Sequence, residues 1–138
     1  MKIAFIGYQE NSINIFKELS RALSKKIANL ELEERFVPML EDIPEVALEC
    51  SKEADFIFVF ALVDSEGERN LLKGKLIDVE LKTEVRILKA IDEDEFSNQS
   101  EEKFLVEKDE AVEKYADMIV SILFNEIAFE PKDKDFGL

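Results

Sequence analysis

Eight consecutive apolar residues, Phe56–Val63 (FIFVFALV), constrain this chain more than any other stretch. Their β-branched and aromatic side chains argue for a strand, and the run leaves no polar face to give to water. Such a strand belongs in the middle of a parallel sheet, with helices above and below. Its surroundings fit that place. Upstream, Pro38 and Pro44 bracket a turn. A short helix follows in which Ile43, Val46, Ala47 and Cys50 share one face. Pro44 stands in its first turn, where a missing N–H costs nothing, and Asp42 is placed to cap it. Downstream, Asp64–Asn70 is abruptly polar and reads as a loop.

The rest of the chain alternates in the same way. Lys2–Ile6 is a buried strand closed by Gly7, and Asn11 or Ser12 can cap the next helix. There Phe16, Leu19, Leu23 and Ile27 form one apolar stripe, with Lys17, Glu18, Arg21 and Lys25 facing water. Leu30–Val37 begins in strict alternation, the period of a half-buried strand, and Pro38 stops it. Leu72, Leu76 and Val79 mark a third helix, and Val85–Ile91 a fourth strand. A long helix spans Ser100–Phe124, with a weak point near Asp109. Its buried side is Val112, Tyr115, Ala116, Ile119, Ile122 and Leu123. The polar end, Asn125–Leu138, is expected to be ordered by contact with a neighbour.

Four β-α pairs over residues 1–138 predict one domain, an α/β three-layer sandwich on a four-stranded parallel sheet of flavodoxin-like or Rossmann-like type. Ligands in such folds bind at the C-terminal ends of the strands, where strand order switches. That selects four loops: Gly7–Ser12, Pro38–Asp42, Asp64–Asn70 and Asp92–Ser97.

The residue inventory excludes much chemistry. The chain has no histidine and one cysteine, so imidazole bases, Ser-His-Asp triads and thiolate metal sites are ruled out. A formal charge of −14, spread along the chain, disfavours nucleic acid and anionic membrane surfaces as partners. One cysteine cannot form an internal disulfide, and no leader or spanning segment is evident, so a cytoplasmic location is expected. Gly7-Tyr8-Gln9-Glu10-Asn11 has one glycine and no lysine, unlike a loop that cradles pyrophosphate, and no cofactor is expected. Tyr8 can stack on a planar ligand, and Met39 and Leu40 can wall a ring system. Each also has an ordinary packing role. Cys50 lies on an apolar stripe and reads as core. Asp92–Glu95 offers oxygen ligands for a cation, but reads as an exposed acidic loop, and no metal is expected.

Several of these features together resemble the lumazine synthase superfamily, most closely its archaeal riboflavin synthase branch. The features are Val37-Pro38 with Asp42 and Pro44, the strand from Asp55 to Leu62, the Gly67-Glu68 pair, the opening MKI strand, the Asp92–Glu95 cluster, and Ile122-Leu123-Phe124 closing the last helix. The resemblance extends over the whole chain in element order. It implies dismutation of two 6,7-dimethyl-8-ribityllumazine molecules to riboflavin by transfer of a four-carbon unit. It also implies a homo-oligomer, a pentamer in this family, with the site between subunits. The implied ligand-binding set is Tyr8, Gln9, Pro38, Met39, Leu40, Gly67 and Glu68, with Glu68 and Asp64 as catalytic candidates and Asp92 or Tyr8 as further acid–base groups.

Departures from the family are specific. Pro38-Met39 stands where members carry Pro-Gly. Their GETxH segment reads Gly67-Glu68-Arg69-Asn70-Leu71 here, without the hydroxyl and the imidazole. The absent phosphate-binding groups favour the riboflavin synthase branch, whose substrate carries no phosphate. Two other readings stand beside this one. The first is a catalytically degenerate relative that binds a flavin or lumazine or serves as an assembly subunit. The second is an acidic flavodoxin-like or receiver-like module that docks on a basic partner. In a receiver Asp64 would sit near the phosphoacceptor position, but Gly7-Tyr8 replaces the expected acid cluster.

Overall fold

The computed structural model describes residues 1–96 and 99–136, with side chains described as far as residue 124. Four strands, β1 (Lys2–Tyr8), β2 (Glu31–Val37), β3 (Phe56–Leu62) and β4 (Arg86–Asp92), form one sheet in the order β2-β1-β3-β4. Every neighbouring pair is parallel. Helices α1 (Phe16–Lys26), α2 (Ile43–Cys50), α3 (Glu66–Thr83) and α4 (Glu101–Phe136) connect and flank it. The result is the α/β/α sandwich of flavodoxin-like type that the alternation predicts. No helix among the described residues is long and apolar enough to cross a membrane.

The continuous apolar run resolves into two faces by size. Phe56, Phe58 and Phe60 join Phe5, Phe16, Leu19, Leu23, Tyr115 and Ile119 in the layer under α1 and α4. Ile57, Val59 and Ala61 point the other way, to Ile43, Ala47, Leu72, Leu76 and Val79 of α2 and α3. Every residue of β3 is buried. A period of two thus survives in a stretch with no polar residue, because successive side chains leave a strand on opposite faces.

Several boundaries differ from the sequence reading, each for a local reason. β1 does not end at Gly7 but runs through Tyr8, and the Gln9 N–H extends its pairing by donating to the Val37 carbonyl at 2.9 Å. α1 begins only at Phe16. Neither Asn11 nor Ser12 caps it, and the Asn14 Oδ1 accepts from the Phe16 N–H at 3.0 Å. Glu18 does not face water alone; its carboxylate meets the Lys108 ammonium of α4 at 2.9 Å. Asp42 holds the N-cap position of α2, but its side chain makes no capping bond, since a 3-10 turn over Leu40–Asp42 already feeds the helix. α4 has no interruption at Asp109 and does not stop at Ile122-Leu123-Phe124; its backbone stays helical to Phe136. Gly137 and Leu138, the end of the segment expected to need a neighbour, lie outside the described residues.

The outer margin of the sheet at β4 is covered from within. Glu80 of α3 accepts from the Ile87 N–H through Oε2 at 2.9 Å, and its other oxygen pairs with the Lys89 ammonium. Lys89 also donates to the Ile87 carbonyl at 3.0 Å.

Candidate functional site

The switch in strand order falls at β1, which sends the chain outward to β2, while β3 lies on its other side. The C-terminal ends of these strands are where such a fold leaves a crevice. A cavity of about 350 Å³ opens there on the α2/α3 side. Its walls come from four segments: Tyr8 at the end of β1, Met39 to Glu41 from the turn after β2, Pro44 in the first turn of α2, and one side of α3. The turn that begins after β2 at Pro38 and the start of α3 therefore meet at one rim.

The first turns of α3 build the facing wall. The stretch Asp64–Asn70 is not the loop expected from its polarity, because Glu66 already begins the helix. Ser65 is its N-cap, with its hydroxyl accepting from the Glu68 N–H at 3.3 Å. Once α3 starts at Glu66, Glu68, Leu71, Leu72 and Lys75 fall along the side that meets the turn after β2.

The expected site residues divide accordingly. Tyr8, Met39, Leu40 and Glu68 line the cavity together. Gln9 does not; it lies at a second, smaller cavity on the α1 side, which Tyr8 also lines. Pro38, Asp64 and Gly67 are exposed and line neither. A Cβ on Gly67 would meet only the Ser65 Oγ, at 3.9 Å, so close backbone approach is not the reason for a glycine there. Asp92 ends β4, faces Tyr115 of α4 and lines neither cavity. Glu41, Leu71 and Lys75 line the cavity and were not anticipated. The signal for the last two was present: Ser65-Glu66-Gly67-Glu68 has the S-x-x-E spacing of a capping box, which sets the helical phase of Leu71 and Lys75.

The chemistry of the cavity follows from its lining. Met39 and Leu40 face Leu71 and Leu72 as apolar walls, and Glu41, Glu68, Lys75 and Tyr8 supply the polar groups. Two carboxylates against one ammonium do not suit a phosphate, which is held by clustered cations or N–H donors. A flat, uncharged ring with hydroxyl or amide groups at its edge suits the lining better. Glu68 is the lining carboxylate contributed by α3 and is placed to accept a proton or a hydrogen bond.

Arg69 is close by but committed elsewhere. One guanidinium nitrogen donates to the carbonyls of Val63 and Asp64, at 2.7 and 2.9 Å, and another lies 3.5 Å from Glu93. The acidic run after β4 is similarly distributed. Asp92 lies beside the Tyr115 phenol, Glu93 meets Arg69, and Asp94 accepts from the Ser12 hydroxyl at 2.8 Å and the Phe96 N–H at 3.0 Å. Three successive acids each hold a different part of the rim. Among the described residues no group of acidic, histidine or cysteine side chains is arranged to hold a metal ion.

Tyr115 is the titratable group that its surroundings perturb most. Burial, then the charge of Asp92 and the hydrogen bond to it, push its phenol up to about 12. Cys50 is buried on α2, and desolvation raises its thiol, as expected of a core cysteine.

No protein-family model matches the sequence, and no curated protein is similar enough to it to count as a match.

Proposed function

We propose that this chain is a riboflavin-synthase-like protein that binds 6,7-dimethyl-8-ribityllumazine in the cavity lined by Tyr8, Met39, Leu40 and Glu68. As an enzyme it would hold two such rings together while one passes a four-carbon unit to the other, the acceptor becoming riboflavin and the donor leaving as the ribitylamino-substituted aminopyrimidinedione. The observation that carries the reading is the convergence of the turn after β2 and the first turns of α3 on one largely apolar cavity. Holding two reactants in contact supplies much of the rate for such a transfer, which suits a site with no imidazole. Glu68 is the residue we assign to proton transfer.

A second reading rests on a specific observation. Leu71 stands where the family's histidine would be, and it lines the cavity. Arg69 stands where the family's threonine would be, and its guanidinium is held by loop carbonyls. Both favour a catalytically degenerate relative that binds a lumazine or flavin without converting it. Incubation of the purified protein with the ribityllumazine separates the two. Appearance of flavin absorbance supports the enzyme, and binding without flavin supports the binder. Failure to bind either compound removes both.

Assembly belongs to the same proposal. On the outer face of α3, Ile77 and Leu81 are 47 and 76 % exposed. Gly74 lies beside them with no atom within 4 Å of where its Cβ would be. Glycine inside a helix costs about 1 kcal/mol relative to alanine, and close approach of another helix is a reason to keep it. These features support a homo-oligomer built through α3, with a pentamer as the expected size; a monomer in light scattering would remove this part. A cytoplasmic setting accords with a single buried cysteine.

A further inference from the structure

The second cavity, on the α1 side of the rim, has a volume of about 220 Å³ and a different character. Its wall is aromatic. Phe16, Phe36 and Phe60 line it, and the rings of Phe16 and Phe36 lie 5.3 Å apart at 37°. Phe36 is 42 % exposed on an edge strand, so much of a large ring is presented to solvent. Gly7 lets both rings close on β1, because a Cβ there would meet Phe16 at 2.9 Å and Phe36 at 3.0 Å.

The rim is made of amides. Asn11 is fixed through both side-chain atoms to the backbone of β3. Asn14 uses its Oδ1 to receive the Phe16 N–H. Among the described residues, neither the Asn14 Nδ2 nor the Gln9 side-chain amide has a partner in the chain. None of the residues lining this cavity is charged, although 36 % of the chain is. An ion would lose hydration there and find no countercharge.

We infer that this cavity is a second binding site, selective for an uncharged planar heterocycle of one or two fused rings. The ring lies against Phe36 and turns its polar edge to Asn14 and Gln9. Stacking on an exposed aromatic with amides at the edge is a general way for proteins to hold flat, neutral bases. The site goes beyond the reading of the first cavity and does not depend on it, although Tyr8 is a wall of both.

The test uses pterin at mildly acidic pH, where it is uncharged and its fluorescence is quenched on stacking, titrated into the full chain and three variants. Phe36→Ala removes the stacking face. Asn14→Asp keeps the oxygen that receives the Phe16 N–H but replaces the free donor with a carboxylate. Met39→Glu alters only the first cavity. The expected result is pterin binding that Phe36→Ala and Asn14→Asp each weaken by about tenfold, while Met39→Glu leaves that component unchanged. Absence of quenching in the wild type up to the solubility of pterin overturns the inference. So does binding that responds only to Met39→Glu, or that neither Asn14→Asp nor a folded Phe36→Ala affects.

Discussion

Asn11 occupies the place of a strand residue beside Leu62. Its Oδ1 accepts from the Leu62 N–H at 2.7 Å, and its Nδ2 donates to the Phe60 carbonyl at 2.9 Å. One side-chain amide thus reproduces the donor and acceptor of a peptide group where β1 has ended and β3 has not. Asn11→Ala leaves two part-buried backbone groups unpaired and should cost about 2 kcal/mol. Asn11→Asp should recover only part of this loss, since a carboxylate still accepts from Leu62 but repels the Phe60 carbonyl. Urea unfolding midpoints of the three proteins check the order wild type, Asp, Ala.

Arg69 joins the loop after β3 to the loop after β4, with only 13 % of its side chain exposed. Removing it leaves the Val63 and Asp64 carbonyls and Glu93 without that donor. Arg69→Ala is expected to destabilise by about 2 kcal/mol. Arg69→Lys should recover little, because an ammonium cannot reproduce the planar fork that reaches two carbonyls and a carboxylate at once. Thermal unfolding of both variants measures this, and a lysine variant as stable as wild type would contradict it.

Tyr115 makes stability sensitive to alkaline pH. Its phenol ionises at about 12 in the folded chain, against an ordinary value near 10 when unfolded. Between those values the unfolded chain has released a proton that the folded chain retains, so stability falls as pH rises through that window. Below pH ~10 both states are protonated and this contribution is fully present. Absorbance of tyrosinate should therefore contain a component that appears only near pH ~12 and is lost in Tyr115→Phe. The same variant should flatten the fall in stability across the window.

Glu68 and Asp64 distinguish the catalytic reading from the merely structural one. Glu68 lines the first cavity and Asp64 does not, although both belong to the same acidic stretch. If turnover occurs, Glu68→Gln should lower it by about 100-fold or more while ribityllumazine binding changes only a few-fold. Asp64→Asn should leave both near wild type. Equal losses in the two variants, read from flavin formation and from equilibrium binding, would show that charge on the rim matters more than placement.

The sheet was legible because its signals are local and redundant. FIFVFALV in the middle, alternation in β2 with Pro38 after it, and the short apolar runs at Lys2 and Val85 place four strands within a residue or two. The helical starts were less legible. Asn11, Ser12 and Asp42 have the side chains of caps, yet Asn11 and Ser12 bond across 49 to 82 residues of sequence and Asp42 makes no cap at all. A cap signal shows that a side chain can bond backbone; tertiary contact decides which backbone it bonds. The polarity of Asp64–Asn70 concealed a helix because an exposed first turn is as acidic and polar as a loop, and glutamates there also favour the positive end of the helix dipole. That error of phase hid Leu71 and Lys75; Tyr8, Met39 and Leu40 were singled out from the loops after strands and Glu68 from the resemblance, and the four line one cavity. The acidic run at Asp92 gave no sign in sequence that each carboxylate would fasten a different element.

The carboxylate of Glu80 has a consequence for the open edge of the sheet. By occupying the hydrogen-bonding row beside Ile87, with Lys89 alongside, it withholds from any incoming strand the template on which ribbon-like polymerisation would grow. A strand added at that flank would have to displace the Glu80–Lys89 pair before it could reach the Ile87 peptide, so extension of the sheet carries a cost there that a bare edge would not impose.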